Sequence, residues 1–380
     1  MNAPQWVSSP AQVQDLTHQL QSIHGLVQAR YPFVERIALA LYEPATDLLK
    51  TFVSSNTDQV ALKRYETTLA SVPSLQALAQ ARQSRIVEDI PDAFATSGSA
   101  HTAWLAQQGY RASYTTPIYQ GDQLAAFLFF DSRQTGVFTP EIGAFLTTFS
   151  DLIAQLFLLE RKVVDGMIGT VQVAVGLARI RDLETGQHLE RMAQYSRLMA
   201  RALADRFDLN DEFIEYVYLF APLHDIGKVG IPDHILLKPG RLDAEEWAVM
   251  QRHVEIGEGI IDKMGERMGL AQSLPSRVMR NIVATHHERG DGSGYPRGLK
   301  MADIPVEGRI VAVADVYDAL SNRRPYKQPW TEAEIAAEMA REVAAGRLDG
   351  ECVAMLMAAQ AERQAIQARF ADQPSDLPSA

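Results

Sequence analysis

Cysteine is nearly absent: Cys352 is the only one in 380 residues. No disulfide can form within the chain, and no zinc site built from several thiolates is available. A basic excess is also missing. The 36 Lys and Arg face 47 Asp and Glu, a net charge of −11, which argues against an extended nucleic-acid grip built on clustered cations. No basic segment followed by an apolar run opens the sequence, so no signal peptide is expected. The longest greasy stretch, Phe145 to Leu159, is interrupted by Thr147, Thr148, Ser150, Asp151 and Gln155. It falls short of the roughly 20 apolar residues that span a bilayer. These absences predict an acidic, cytoplasmic protein with no membrane span and no nucleic-acid polymer as partner. What is present is ordinary globular composition, 47% hydrophobic and 22% charged, in a chain long enough for two domains.

In the first half, residues 36–42 (RIALALY) read as a strand. Glu43-Pro-Ala-Thr-Asp47 supplies turn chemistry, and residues 48–54 the hairpin partner. A second hairpin runs from Ser113–Ile118 to Leu124–Asp131, with Gly121 in the turn. Strands separated by helical stretches suggest one α+β sheet. The order of these pieces, and the two late strands in particular, resembles a GAF domain. Such domains bind small ligands or dimerise, but no fixed ligand motif is present, so an unidentified ligand and an empty dimerisation scaffold both stay open. His18, His24 and His101 show no metal-like spacing and are expected at the surface or a boundary.

Thr139-Pro140-Glu141 is a helix start. Beyond it Ile142, Phe145, Phe149, Leu152, Leu156, Leu159 and Val163 recur at alternating spacings of three and four, a heptad seam. One amphipathic helix packed on its own domain would give the same pattern. The reading favoured is a long connector helix through which two copies form a parallel homodimer. Gly166, Gly169 and Gly176 are expected to break it.

Six of the nine histidines fall between His188 and His287. Glu184 and His188 are i, i+4, His224-Asp225 follows an apolar run, and His286-His287 ends another. Asp315 lies among Ile310, Val311, Val313 and Val316, where a carboxylate needs a cation or good donors. Mixed imidazole and carboxylate donors without thiolate suit Fe or Mn, with Zn or Ni as alternatives. With His253, which follows a helical pattern containing Trp247, these residues make eight donors, more than one ion can use.

His188, His224-Asp225, His253, His286-His287 and Asp315 follow the order of the HD phosphohydrolase superfamily. The run Glu288-Arg-Gly-Asp-Gly-Ser-Gly-Tyr-Pro296 resembles the loop of its HD-GYP family. Leu223-His-Asp-Ile-Gly-Lys228, Ile231-Pro-Asp233, Leu237-Lys-Pro-Gly240 and Arg324-Pro-Tyr-Lys327 agree with it. The resemblance implies an all-α HD-type domain that hydrolyses cyclic di-GMP to pGpG or GMP with two or three divalent metals, Fe foremost and Mn as the alternative. Its implied metal ligands are Glu184, His188, His224, Asp225, His253, His286, His287 and Asp315. Asp225 would bridge metals, and Glu184 would allow a third. Lys228 would contact a phosphate and stabilise its charge during in-line attack by metal-activated water. Arg324 and Lys327 would hold the second phosphate, and Tyr295 would lie near the guanine or ribose. Asp182 and Asp318 would orient substrate or water. Gly290 replaces a frequent aromatic residue and could alter substrate access.

The implied plan is a flexible tail (1–12), a GAF-like α+β sensory domain (13–138), the connector helix (139–165), the HD-GYP domain (166–370) and a second tail (371–380). Two other functions stay open: a silent cyclic di-GMP receptor, and a hydrolase of another nucleotide phosphoester.

Overall fold

The computed structural model describes residues 15–58, 60–94, 100–179, 186–268, 270–322 and 330–372. The chain divides into two compact units. One holds residues 14–163 with 210–212, the other 164–209 and 213–380.

The first unit is built on a six-stranded antiparallel sheet: β1 (Arg36–Glu43), β2 (Leu48–Asn56), β3 (Glu66–Thr68), β4 (Arg85–Val87), β5 (Ala112–Gln120) and β6 (Gln123–Ser132), in the order β3-β2-β1-β6-β5-β4. Both expected hairpins are there, and Gly121 takes a positive φ of 61° in the second turn. The helix Leu16–Arg30 starts where the Asp15 carboxylate accepts the His18 N–H at 2.8 Å. Its Leu16, Leu20, Ile23 and Val27 lie on one face and pack on the sheet with Ile37, Leu39, Leu128 and Phe130. His24 corrects the expectation of a surface histidine. It is buried, with Nδ1 2.7 Å from Ser55 Oγ and Nε2 2.9 Å from the Val34 carbonyl.

A small cavity in this unit is lined by Ser74, Arg85, His101, Thr115 and Phe129, among others. Burial, and secondarily the Arg36 charge, push the His101 imidazole down to about 3. The unfolded chain therefore takes up a proton below about pH 6.5 that the folded state refuses, so stability is full above that pH and falls on acidification. We expect His101→Leu to remove up to about 2 kcal/mol of the acid-induced loss between pH 7 and pH 5. Urea unfolding of both proteins at the two pH values checks this, and an unchanged pH dependence would refute it.

The connector is one helix, Pro140–Arg179, which continues through the break expected at Gly166, Gly169 and Gly176. Its buried stripe is also displaced by one residue from the seam read in the sequence. Leu146, Ile153 and Phe157 enter the core, whereas Leu152 and Leu159 are 46% and 63% exposed. Apolar residues thus occupy two adjacent faces: one is buried in the unit's own core, and on the other Ile142, Phe145, Phe149 and Leu156 pack partly buried against that core while Leu152 and Leu159 stay exposed. Within the helix's Pro140–Thr170 stretch an 18-residue window reaches a mean hydropathy of 1.7, enough by length and composition alone to cross a membrane, a test that the core helices of other proteins also pass.

Among the described residues, the regular secondary structure of the second unit is helical, joined by loops such as 287–300. The helices Gly186–Ala202, Leu274–Thr285 and Val306–Ser321 supply a core that includes Met192, Tyr195, Val278, Ile282, Val283, Ile310, Val311 and Val313. The helix His253–Met268 packs on Leu274–Thr285 and on the turn that follows Asp225.

Candidate metal centre

Local structure explains how residues far apart in sequence come together. His188 sits in the first turn of Gly186–Ala202, His253 opens His253–Met268, and His286-His287 follow directly on Leu274–Thr285. Asp315 lies on Val306–Ser321. His224 and Asp225 occupy the junction between two 3-10 turns, Ala221–Leu223 and Ile226–Gly230. In such tight turns i and i+3 eclipse, which brings Lys228 Nζ to 2.8 Å from Asp225 Oδ2.

Two groups of ligand-type atoms result, with the atoms of each within 4.8 Å of one another: Asp225, His253, His286 and His287 in one, and His188, His224 and Asp315 in the other. Asp225 touches both. Its Oδ1 is 3.1 Å from His253 Nε2 and 3.5 Å from His286 Nε2, and its Oδ2 is 3.2 Å from His224 Nε2.

The far side of each ring fixes what the near side can do. Nδ1 of His224 donates to the Ala221 carbonyl at 2.9 Å, and that of His253 to Met250 at 2.8 Å. Nδ1 of His286 faces the Ile282 and Val283 carbonyls, and that of His188 donates to Asp318 at 2.7 Å. With the proton held on Nδ1, each Nε2 keeps its lone pair, the tautomer a metal ligand needs. Nε2 of His253 and His286 and Oδ1 of Asp225 are buried and make no hydrogen bond of acceptable geometry, despite the short distances between them. Buried polar atoms left this way are expensive unless something else satisfies them.

Charge agrees with this arrangement. Burial opposes ionisation of Asp225, but the Lys228 charge beside it counts foremost among the neighbours that hold the carboxyl well below its usual range. Burial, then neighbouring His286, keeps His287 well below the usual imidazole range, and burial does the same less strongly for His286. A carboxylate beside neutral imidazoles suits divalent Fe, Mn or Zn. The residues present therefore fit a metal centre.

Beside the groups, the loop after His287 folds back on a buried carboxylate. Glu288 accepts the Arg297 and Leu299 N–H groups, each at 2.8 Å, and Arg297 also pairs with Glu258. This sets the Tyr295 ring 4.7 Å from the His287 ring, with Trp247, 48% exposed, 6.1 Å further out. Gly290 lies where a Cβ would come within 2.7 Å of the Gly346 carbonyl and 2.2 Å of Met301. The absent side chain there leaves room for packing, not for substrate access.

Asp318 departs from its expected part. It is 3% exposed, with Oδ1 taken by Arg191 and Asn322 and Oδ2 by His188 and Arg191. It orients His188 and has no oxygen left for substrate. Asp182, Glu184, Arg324 and Lys327 lie outside the described residues. Sequence reasoning missed Arg191, Glu288 and Trp247. Arg191 was within reach, since it stands three residues after His188 on the same helix face.

Comparison with known protein families matches residues 16–157 to the GAF domain and residues 183–352 to the HD domain. The fold is thus an α+β domain followed in sequence by a helical domain. More specifically, the chain carries a GAF domain followed by an HD domain. It is 47% identical over 159 residues to 3'3'-cGAMP-specific phosphodiesterase 2 of Vibrio cholerae, covering 42% of this chain and 28% of that protein. It is 42% identical over 182 residues to a cyclic di-GMP phosphodiesterase of Thermotoga maritima, covering 46% of each. With the cyclic di-GMP phosphodiesterase response regulator RpfG of Xanthomonas campestris it shares 43% identity, covering 50% of this chain and 47% of that protein. The chain spans less than half the length of these relatives.

Proposed function

We propose that the protein is a metal-dependent phosphodiesterase that hydrolyses cyclic di-GMP to pGpG or on to GMP, under control of its GAF domain. The observation that carries this reading is the set of imidazole Nε2 atoms, each with its proton fixed on Nδ1, gathered around Asp225 and beside Asp315. His188, His224, Asp225, His253, His286, His287 and Asp315 would hold two divalent ions, Fe or Mn, with Asp225 shared. Glu184 would add a ligand for a third. Metal ions held there would supply an activated water and positive charge for the phosphoryl oxygens.

The remaining work falls to the chain. Neutral imidazoles and an ionised Asp225 keep the site ready to bind cations at neutral pH. Lys228, 2.8 Å from Asp225, reaches toward a phosphate beside the centre and opposes its developing charge. Tyr295, packed against His287, offers a flat face to a guanine or ribose, while Arg324 and Lys327 would take the second phosphate. The half-exposed seam of the connector helix would pair with a second copy, and the GAF cavity would receive any regulatory ligand. A second-messenger substrate puts the reaction in the cytoplasm.

Three relatives, all of Vibrio cholerae, carry 3'3'-cGAMP names, which supports that cyclic dinucleotide as a second reading for the same site. Chromatography of products from each nucleotide, with Fe(II) or Mn(II) present, separates the two. Faster turnover of cyclic di-GMP is expected. Faster turnover of 3'3'-cGAMP would replace the first reading, and turnover of neither would overturn both. In the same assay Lys228→Met should lower kcat by roughly 10²–10³-fold with metal content unchanged; an unaltered kcat would remove Lys228 from the mechanism.

A further inference from the structure

The Gly186–Ala202 helix places Arg191 one turn after His188, and Arg191 is 2% exposed. Its guanidinium is shared between two parts of the same unit. Nε donates to Asp318 Oδ1 at 2.6 Å and Nη2 to Asp318 Oδ2 at 3.1 Å, a bidentate pair. Nη1 donates to the Phe370 carbonyl at 2.8 Å and to Asp372 Oδ1 at 3.2 Å. The bidentate pair fixes the plane of the Asp318 carboxylate, and Oδ2 then receives the Nδ1 proton of His188 at 2.7 Å. The residues just past the last helix therefore hold the arginine that holds the aspartate that sets a histidine.

A second grip lies one residue away. Arg363, on the helix Gln360–Arg369, donates to the Tyr317 hydroxyl at 2.7 Å and to Glu332 at 2.9 Å. Tyr317 precedes Asp318 on Val306–Ser321 and meets Tyr195 edge-on at 5.0 Å. The C-terminal segment thus holds consecutive residues of the helix that also carries Asp315.

We propose that the C-terminal segment around Phe370 and Asp372 is a strap that positions His188 through Arg191 and Asp318, and so sets metal affinity on the His188–His224–Asp315 side of the centre. This rests on the reading of His188 as a metal ligand. The residues involved are positioning residues, because Arg191, Asp318, Phe370 and Asp372 stand outside the two groups of ligand-type atoms and act through His188. Displacing the strap frees the guanidinium to turn, the carboxylate loses its fixed plane, and His188 loses both its tautomer and its aim. The Asp225–His253–His286–His287 side has its own carbonyl partners for His253 and His286 and is left as it was.

The test uses the full chain, Arg191→Met, Asp318→Asn and a chain lacking residues 370–380. Each is stripped of metal and titrated with Co(II), following stoichiometry and the visible d–d spectrum, with the Tm of the metal-free protein recorded in parallel. Wild type should bind ions in at least two classes. The variants should bind one class roughly 10–100-fold more weakly and keep the other unchanged, with the corresponding band lost from the spectrum. If Arg191→Met does not fold, Asp318→Asn decides, because it preserves shape and removes only the carboxylate that fixes the tautomer. Wild-type affinity for every ion in a folded variant would overturn the strap, as would equal weakening of all classes. A wild-type protein that binds no Co(II) would instead bring down the metal-site reading, and the strap with it.

Discussion

Replacing Asp225 by alanine should lower turnover by at least roughly 10³-fold, the scale on which groups that act as a unit fail when one is removed. It should also lower bound metal. The size of the effect follows from position. Asp225 is the residue whose carboxylate reaches both groups, with Oδ1 toward His253 and His286 and Oδ2 toward His224 and Lys228. Its removal takes a donor from each side and also takes away the negative charge that Lys228 faces. Metal analysis and product assay on the same preparation check this. Full activity in the variant would defeat the proposed centre.

The second large effect should come from a residue without a side chain. A Cβ on Gly227 would lie 1.7 Å from the His253 carbonyl oxygen and 2.5 Å from the Gly257 nitrogen. Both neighbours are backbone, so no rotamer change relieves the clash. The turn after Asp225 and the helix His253–Met268 would have to separate, moving His253 away from Asp225. Overpacking of this kind is expected to cost about 3–5 kcal/mol, a fall in Tm on the order of 10 °C, with loss of metal. Gly259, on the same helix with nothing within 4 Å, is the control: Gly259→Ala should be neutral or slightly stabilising. Equal Tm values for Gly227→Ala and wild type would show that the contact is not as tight as described.

His188, His224-Asp225, His253, His286-His287 and Asp315 were singled out in the sequence by their resemblance to the HD phosphohydrolase order, and the fold brings their ligand-type atoms into two groups. The two long hairpins were legible from their alternation and turn residues. β3 and β4 were not, being three residues each and too short for any period to register. The connector was recognised as a helix, but its core stripe was misplaced by one residue, since apolar side chains cover two adjacent faces and spacing alone cannot say which one faces the sheet. Asp318 shows the remaining gap. A carboxylate near a site reads as a substrate contact, and only the positions of Arg191 and Asn322 reveal that its oxygens are already engaged. Gly227 and Gly290 are comparable cases. Their need for small size comes from backbone brought close by the fold, which leaves no trace in local sequence.

Metal analysis of full-length, anaerobically purified protein, paired with chromatography of its products from cyclic di-GMP, tests the central claim most directly. The account predicts roughly two to three Fe or Mn per protomer, the number that shared ligation across the two groups requires, together with pGpG or GMP. A folded protein with less than one ion per protomer, or one that fills its metal sites and binds the nucleotide without cleaving it, would contradict the account.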